Sequence, residues 1–150
     1  MSKYSSVKDT LEHKIAVQKY MNIIIRQLID RAEEHDNSKM EIDEVEYFDE
    51  YTPKLKDSTY GSEEYTQFLK ELKPALDHHY AQYRHHPEHF KNGIADMNLI
   101  DLIEMICDWK ASSARHQDGN ILKSIDINKG RFGYGDELHT ILTKTVELFE

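Results

Sequence analysis

The sequence predicts an all-α protein. Three observations carry that expectation. Apolar residues recur at helical rather than alternating spacing. Only three prolines and six glycines punctuate 150 residues. Four of those glycines follow residue 118, so the first hundred residues run nearly unbroken, as helices do. No strand signal, internal repeat or low-complexity tract competes with this pattern. A chain of this length is expected to form one domain, residues 1–150, with a core that needs no staples.

The elements follow in order. Leu11, Ile15, Val17, Met21, Ile24, Ile25, Leu28 and Ile29 place a helix from about Val7 to Glu33. His35-Asp-Asn-Ser-Lys39 is polar and turn-prone. Ser38 is then a natural N-cap for the next helix, with Glu41 closing a capping box. Val45, Tyr47, Phe48 and Tyr51 predict a short helix ending at Thr52-Pro53, because the residue before a proline disfavours helix. Lys54 to Gly61 reads as a loop. Ser62 caps the next helix, with acidic residues in its first turn. Phe68, Leu69, Leu72, Leu76 and Tyr80 continue it, with Pro74 as a point of kinking or restarting. Pro87 and Asn92-Gly93 interrupt the chain again.

From Asn98 to Arg115 runs the most apolar helix, carrying Leu99, Ile100, Leu102, Ile103, Met105, Ile106 and Trp109. Asp118-Gly119 predicts a turn, a helix follows through Asn128, and Phe132-Gly-Tyr-Gly reads as a loop. Leu138 to Phe149 closes the chain as an amphipathic helix. The apolar content of the first and last helices suits an intramolecular core or a homo-oligomer equally.

Composition narrows the function classes. A formal charge of −9 argues against general nucleic-acid binding and against attraction to an anionic membrane. A small anionic substrate stays open, since a bound metal reverses the local field. Cys107 is the single cysteine, so no intramolecular disulfide is expected and a reducing, cytoplasmic location is. No apolar run approaches the roughly 20 residues of a membrane helix, and the first residues lack the apolar stretch of a signal peptide.

Three features carry chemistry. The first is the His35-Asp36 pair at a helix-to-turn junction, with Lys39 close behind. The second is a histidine cluster: of nine histidines, His78, His79, His85, His86 and His89 fall within twelve positions. His78/His85 and His79/His86 are each seven apart, nearly two helical turns. The third is a polar stripe of Asp101, Glu104 and Asp108 on one face of the most apolar helix. Carboxylates in so apolar a segment are either wet, paired with cations, or bound to metal. Imidazole and carboxylate together suit a divalent metal: zinc, manganese, iron, cobalt or magnesium.

These residues resemble a known family. His35-Asp36-x-Ser38-Lys39 is similar to the signature of the HD-domain metal-dependent phosphohydrolases. Ile103-Glu-Met-Ile-Cys-Asp108-Trp-Lys-Ala resembles the last motif of that superfamily, an aspartate in a late apolar helix. His79 and His86 resemble the additional histidines of its two-metal members. More closely, the stretches HDNSK, TPKLKDSTYGSEEY, ALDHHYAQYRHHPEHF, LIDLIEMICDWKAS and SIDINKGRFGYGDEL resemble an uncharacterised helical family common in bacteriophages and bacteria. The resemblance implies an HD-like helical bundle of about six or seven helices. It also implies a divalent metal held by His35, Asp36, His79, His86 and Asp108. One departure is visible. The earlier histidine of HD proteins has only His13 as its counterpart, and a straight helix would separate His13 from His35 by about 33 Å.

The expected function is hydrolysis of a nucleotide or other small phosphate ester by metal-activated water. Glu104 is the candidate general base or orienting residue, and Lys39 the cation that neutralises the transferring phosphate. Arg115, Lys123 and Arg131 are further candidates for binding an anionic substrate. The main alternative is a non-catalytic binding or sequestering protein, phage-associated, with a structural metal or none. An iron-dependent oxygenase on the same scaffold is a third reading.

Overall fold

The structure, a computed structural model, describes residues 4–59, 62–115 and 119–149. Among them are six α-helices and no strand: α1 (Ser6–Glu34), α2 (Ile42–Asp57), α3 (Glu63–Gln82), α4 (Leu99–Ala114), α5 (Ile121–Phe132) and α6 (Asp136–Val146). Single 3-10 turns lie at Asn37–Met40, Pro87–His89, Gly93–Asp96 and Glu147–Phe149. The expected all-α class is what the chain adopts. The chain separates into two compact units, Met1–Glu34 and His35–Glu150. No described helix is long and apolar enough to cross a membrane.

The first unit is α1. Its apolar positions follow the helical period that predicted it, yet none of its residues is buried. Leu11, Ile15, Met21 and Ile29 are each more than half exposed.

In the second unit α2 packs on α3, while α4, α5 and α6 pack on one another. Met105, Ile106, Ile125, Tyr134, Leu142 and Val146 form the buried core of the latter group, flanked by Trp109, Phe132 and Leu138. Met105, Ile106 and Ile125 are almost wholly buried, each contributing about 1.5–3 kcal/mol. The Tyr134 hydroxyl donates to the Ile125 carbonyl at 2.6 Å, which satisfies the one polar atom this core side chain brings. Gly133 ends α5 at φ 69°, a left-handed cap in which glycine carries no Cβ penalty.

Several boundaries differ from the sequence expectation. Pro53 does not end α2, which continues to Asp57, and Pro74 does not break α3. Both prolines are exposed, so the helix carbonyl that loses its N–H partner four residues earlier can turn to water. The expected Lys54–Gly61 loop therefore begins only at Ser58, and its residues 60–61 lie outside the described residues, as does Asp118 of the expected Asp118-Gly119 turn. Helix α5 runs four residues past Asn128, and Glu41 rather than Ser38 precedes α2. Ser62 caps α3 as expected, accepting from the Tyr65 N–H at 3.1 Å.

Asn98 caps α4 in a reciprocal box. Its side chain accepts from the Asp101 N–H at 3.0 Å, and Asp101 accepts from the Asn98 N–H at 3.1 Å. Arg84 closes on the same buried carboxylate with two hydrogen bonds, at 2.9 and 3.1 Å. Asp101 thus anchors the start of α4.

Candidate metal centre

The site begins where α1 ends. Asp36 adopts a left-handed backbone conformation, φ 57° and ψ 17°, and is the only described non-glycine residue with positive φ. Aspartate tolerates this region better than most residues, and backbone strain of this kind concentrates at functional sites. Here the turn carries the Asp36 carboxylate in among three imidazoles. Its Oδ1 lies 3.1 Å from His79 Nε2 and 3.3 Å from His85 Nε2, and its Oδ2 lies 3.6 Å from His35 Nε2.

The histidines arrive from different elements. His79 is buried in the last turn of α3. The helix stops at Gln82, and Tyr83 and His86 are extended, the latter because Pro87 disfavours helix before it. His85 and His86 therefore return past the end of α3 instead of continuing along it, and His86 Nε2 comes to 3.0 Å from His79 Nε2. The seven-residue spacing brings these two together through a broken helix, not through a shared helical face.

Helix α4 supplies the remaining carboxylates. Glu104 Oε1 lies 2.8 Å from His35 Nδ1 and 2.9 Å from His85 Nδ1. One turn on, Asp108 Oδ1 lies 3.7 Å from His35 Nε2. The polar stripe is thus divided. Asp101 faces Arg84, while Glu104 and Asp108 face the histidines.

The arrangement has a consistent polarity. The Nε2 atoms of His35, His79 and His85 point towards the Asp36 carboxylate, with His86 Nε2 adjoining that of His79 and Asp108 that of His35. The Nδ1 atoms of His35 and His85 lie against Glu104, and that of His79 meets Glu44 Oε2 at 3.1 Å. The centre also has a closed side and an open one. His79, His85 and Glu44 are fully buried, whereas the side chains of His35, Asp36 and Asp108 are 20–29% exposed. Lys39 stands at the open edge, its Nζ 2.6 Å from Asp36 Oδ2.

Charge interactions here are strong. The Asp108 and Glu104 carboxylates beside it push the His35 imidazole up to about 10, against the opposing effect of burial. Burial opposes ionisation of Asp36, but His79, His85 and Lys39 outweigh it and hold the carboxyl well below the usual range. Burial, with His85 and His79 alongside, depresses His86 to about 3. Asp108 is buried too, yet His35 beside it keeps its carboxyl below the usual value.

These residues fit a divalent metal. Ligand atoms about 2.1 Å from one ion lie about 3.0–3.4 Å from each other. The spacings of Asp36, His79, His85 and His86 are of that order, and their donor atoms all fall within 4.8 Å of one another. His35, Asp36 and Asp108 form a second such group, and His35, His85 and Glu104 a third. Asp36 Oδ1 and both ring nitrogens of His85 are buried without a hydrogen bond, although carboxylate and imidazole lie close by. Buried polar atoms are rarely left so, and a bound cation would satisfy Asp36 Oδ1 and His85 Nε2.

The structure brings together His35, Asp36, His79, His86 and Asp108, with Glu104 against two of the imidazoles and Lys39 at the edge. It adds His85, which sequence reasoning had not separated from its neighbour as a ligand. The other candidates lie elsewhere. Arg115 is the exposed C-cap of α4. Lys123 and Arg131 line a cleft of about 500 Å³ with Trp109, Ser112 and Asn120, and Arg131 pairs with Glu88 at 2.7 Å. His13 belongs to α1, in the other unit. His78 is half-buried against Glu44 and Gln82, and His89 donates to the Tyr80 carbonyl.

Glu44 and Ser38 were missed. Ser38 does not cap α2. Its hydroxyl donates instead to Glu44 at 2.7 Å. The available signal was that Glu44 shares the apolar face of α2 with Phe48 and Tyr51, at i, i+4 and i+7.

In comparisons with known proteins, residues 2–150 match a family of unknown function, DUF5662. No curated protein and no solved structure matches the chain.

Proposed function

We propose that this chain, which belongs to the DUF5662 family, is a metal-dependent phosphohydrolase acting on a nucleotide or other small phosphate ester. The observation that supports this reading best is the convergence of imidazole Nε2 atoms from His35, His79 and His85 on Asp36, with His86 and Asp108 adjoining. His35, Asp36, His79, His85, His86 and Asp108 would hold the metal, among manganese, iron, cobalt, zinc and magnesium. A metal in such a site supplies an activated water and polarises a phosphoryl oxygen.

The protein's own residues do the rest. Glu104 accepts from His35 Nδ1 and sets its carboxylate 2.9 Å from His85 Nδ1, so that the Nε2 atoms of both face inward. That contact makes it an orienting residue rather than a general base. His35, Asp36 and Asp108 border the open side, where a phosphate would enter. Lys39 brings a cation to that side, which an acidic protein needs to receive an anion. Lys123 and Arg131, in the cleft beside Trp109, and Arg115 lie outside the centre and would be the cations left to bind the remainder of the substrate. The single cysteine, Cys107, suits a reducing cytoplasmic setting.

The test is phosphate release from a panel of nucleotides with Mn²⁺, Co²⁺ or Mg²⁺. Activity lost in His35→Ala and Asp108→Ala supports the reading. Hydrolysis unchanged in both variants overturns it. A second reading, a sequestering protein with a structural metal, draws on the complete burial of His79 and His85. It predicts bound metal with no phosphate released from any nucleotide.

A further inference from the structure

Glu44 lies in the first turn of α2 and is wholly buried. An isolated carboxylate in such a place is costly, so its partners decide what it does. There are three. Ser38 Oγ donates to Oε1 at 2.7 Å, His78 Nδ1 meets the same oxygen at 2.7 Å, and His79 Nδ1 meets Oε2 at 3.1 Å. Ser38 also lies 3.1 Å from His79 Nδ1, and its backbone N–H donates to the Tyr83 hydroxyl at 2.7 Å. The turn that carries His35-Asp36 is thereby tied to α2 and to the end of α3 around one buried carboxyl group.

We propose that Glu44 is a positioning residue for the metal centre: by accepting from His79 Nδ1 it fixes the imidazole with Nε2 presented to Asp36 and His86. A neutral imidazole has one N–H, and a carboxylate at Nδ1 keeps that hydrogen there, leaving the Nε2 lone pair as the donor. Glu104 does the same for His35 from α4, and its Oε1 stands 2.9 Å from His85 Nδ1. Three of the four imidazoles thus carry a buried carboxylate on their outer nitrogen, supplied by two different helices. Metal-ligating histidines characteristically have such a partner, and losing it costs about 10- to 100-fold in metal affinity or activity. This inference rests on the metal reading above.

The experiment is a Co²⁺ titration, followed by visible absorption, of the wild type, Glu44→Gln, His79→Ala and the double variant, with circular dichroism as the check on folding. Glu44→Gln is expected to weaken Co²⁺ binding about 10- to 100-fold and to alter the cobalt spectrum. In the His79→Ala background the same substitution is expected to cause little further loss, because the two act through one ligand. Wild-type affinity and spectrum in Glu44→Gln, or an equal loss in both backgrounds, would overturn the inference while leaving the metal centre intact. A wild type that binds no Co²⁺ removes the metal reading and this inference with it. If Glu44→Gln does not fold, histidine ¹⁵N resonances of the Zn²⁺-loaded wild type decide the matter. A protonated Nδ1 and ligated Nε2 on His79 support the role, and the reverse overturns it.

Discussion

Asp36 and His35 show how much a two-residue signal contains and how much it leaves out. As neighbours in sequence they are only a polar dipeptide. In the fold, a left-handed turn at Asp36 sends its carboxylate between His79 and His85, while His35 reaches Glu104 and Asp108. The titration of His35 gives a prediction. Its imidazole is raised to about 10 without metal, so at pH 7 it is protonated and a metal must displace that proton. His86, depressed to about 3, is already neutral there and releases none. Metal affinity should therefore rise as pH increases towards about 10 and fall in acid. Calorimetric titrations in buffers of different ionisation enthalpy should show net proton release near pH 7, and no buffer dependence would contradict the assignment. The sequence singled out His35, Asp36, His79, His86 and Asp108, and the structure places them close together. His85 was not among them, since adjacent histidines beside a proline look equivalent until the backbone direction is known. Glu44 stayed hidden because a single acidic residue in a helical first turn also has an ordinary dipole explanation.

At the level of elements, the capping signal held at Ser62 and failed at Ser38, which does not cap α2. Ser62 and Asn98 begin α3 and α4 where expected, each with its side chain on a backbone N–H. Pro53 and Pro74 misled, because steric rules give a preference that an exposed helix position can override. Replacing Pro74 by Ala should restore a helix hydrogen bond to the Lys70 carbonyl with no packing lost. The expected gain is about 2 kcal/mol after the entropic advantage of proline is subtracted, read as a higher midpoint in urea unfolding. A lower midpoint would show that the proline is required. The Arg84–Asp101 pair gives the complementary test. Arg84→Ala leaves a buried carboxylate without its cation and should cost about 3 kcal/mol or more of stability. Cobalt binding by the folded fraction should be unchanged, because Asp101 anchors α4 and does not face the histidines.

For the whole molecule, the helical class was legible because periodicity is a local property repeated over many residues. The gathering of the His35-Asp36 turn, α2, α3 and α4 around one centre was not, since it depends on contacts between positions as distant as His35 and Glu104. The apolar positions of α1 show the same limit. They follow the pattern that a core or a partner helix uses, and in the structure none of them is buried. Because the centre joins elements from across the second unit, metal should stabilise that unit as a whole. At a hundredfold excess over its dissociation constant an ion contributes about 2.7 kcal/mol, so chelation should lower the thermal midpoint and Mn²⁺ or Co²⁺ should restore it. The most direct measurement is the metal content of the purified, chelator-stripped and reloaded protein by plasma mass spectrometry. At least one divalent ion per chain is predicted for the wild type, with marked loss in Asp36→Ala and His85→Ala. A wild type that retains no metal after reloading, or variants that retain as much as the wild type, would contradict the account.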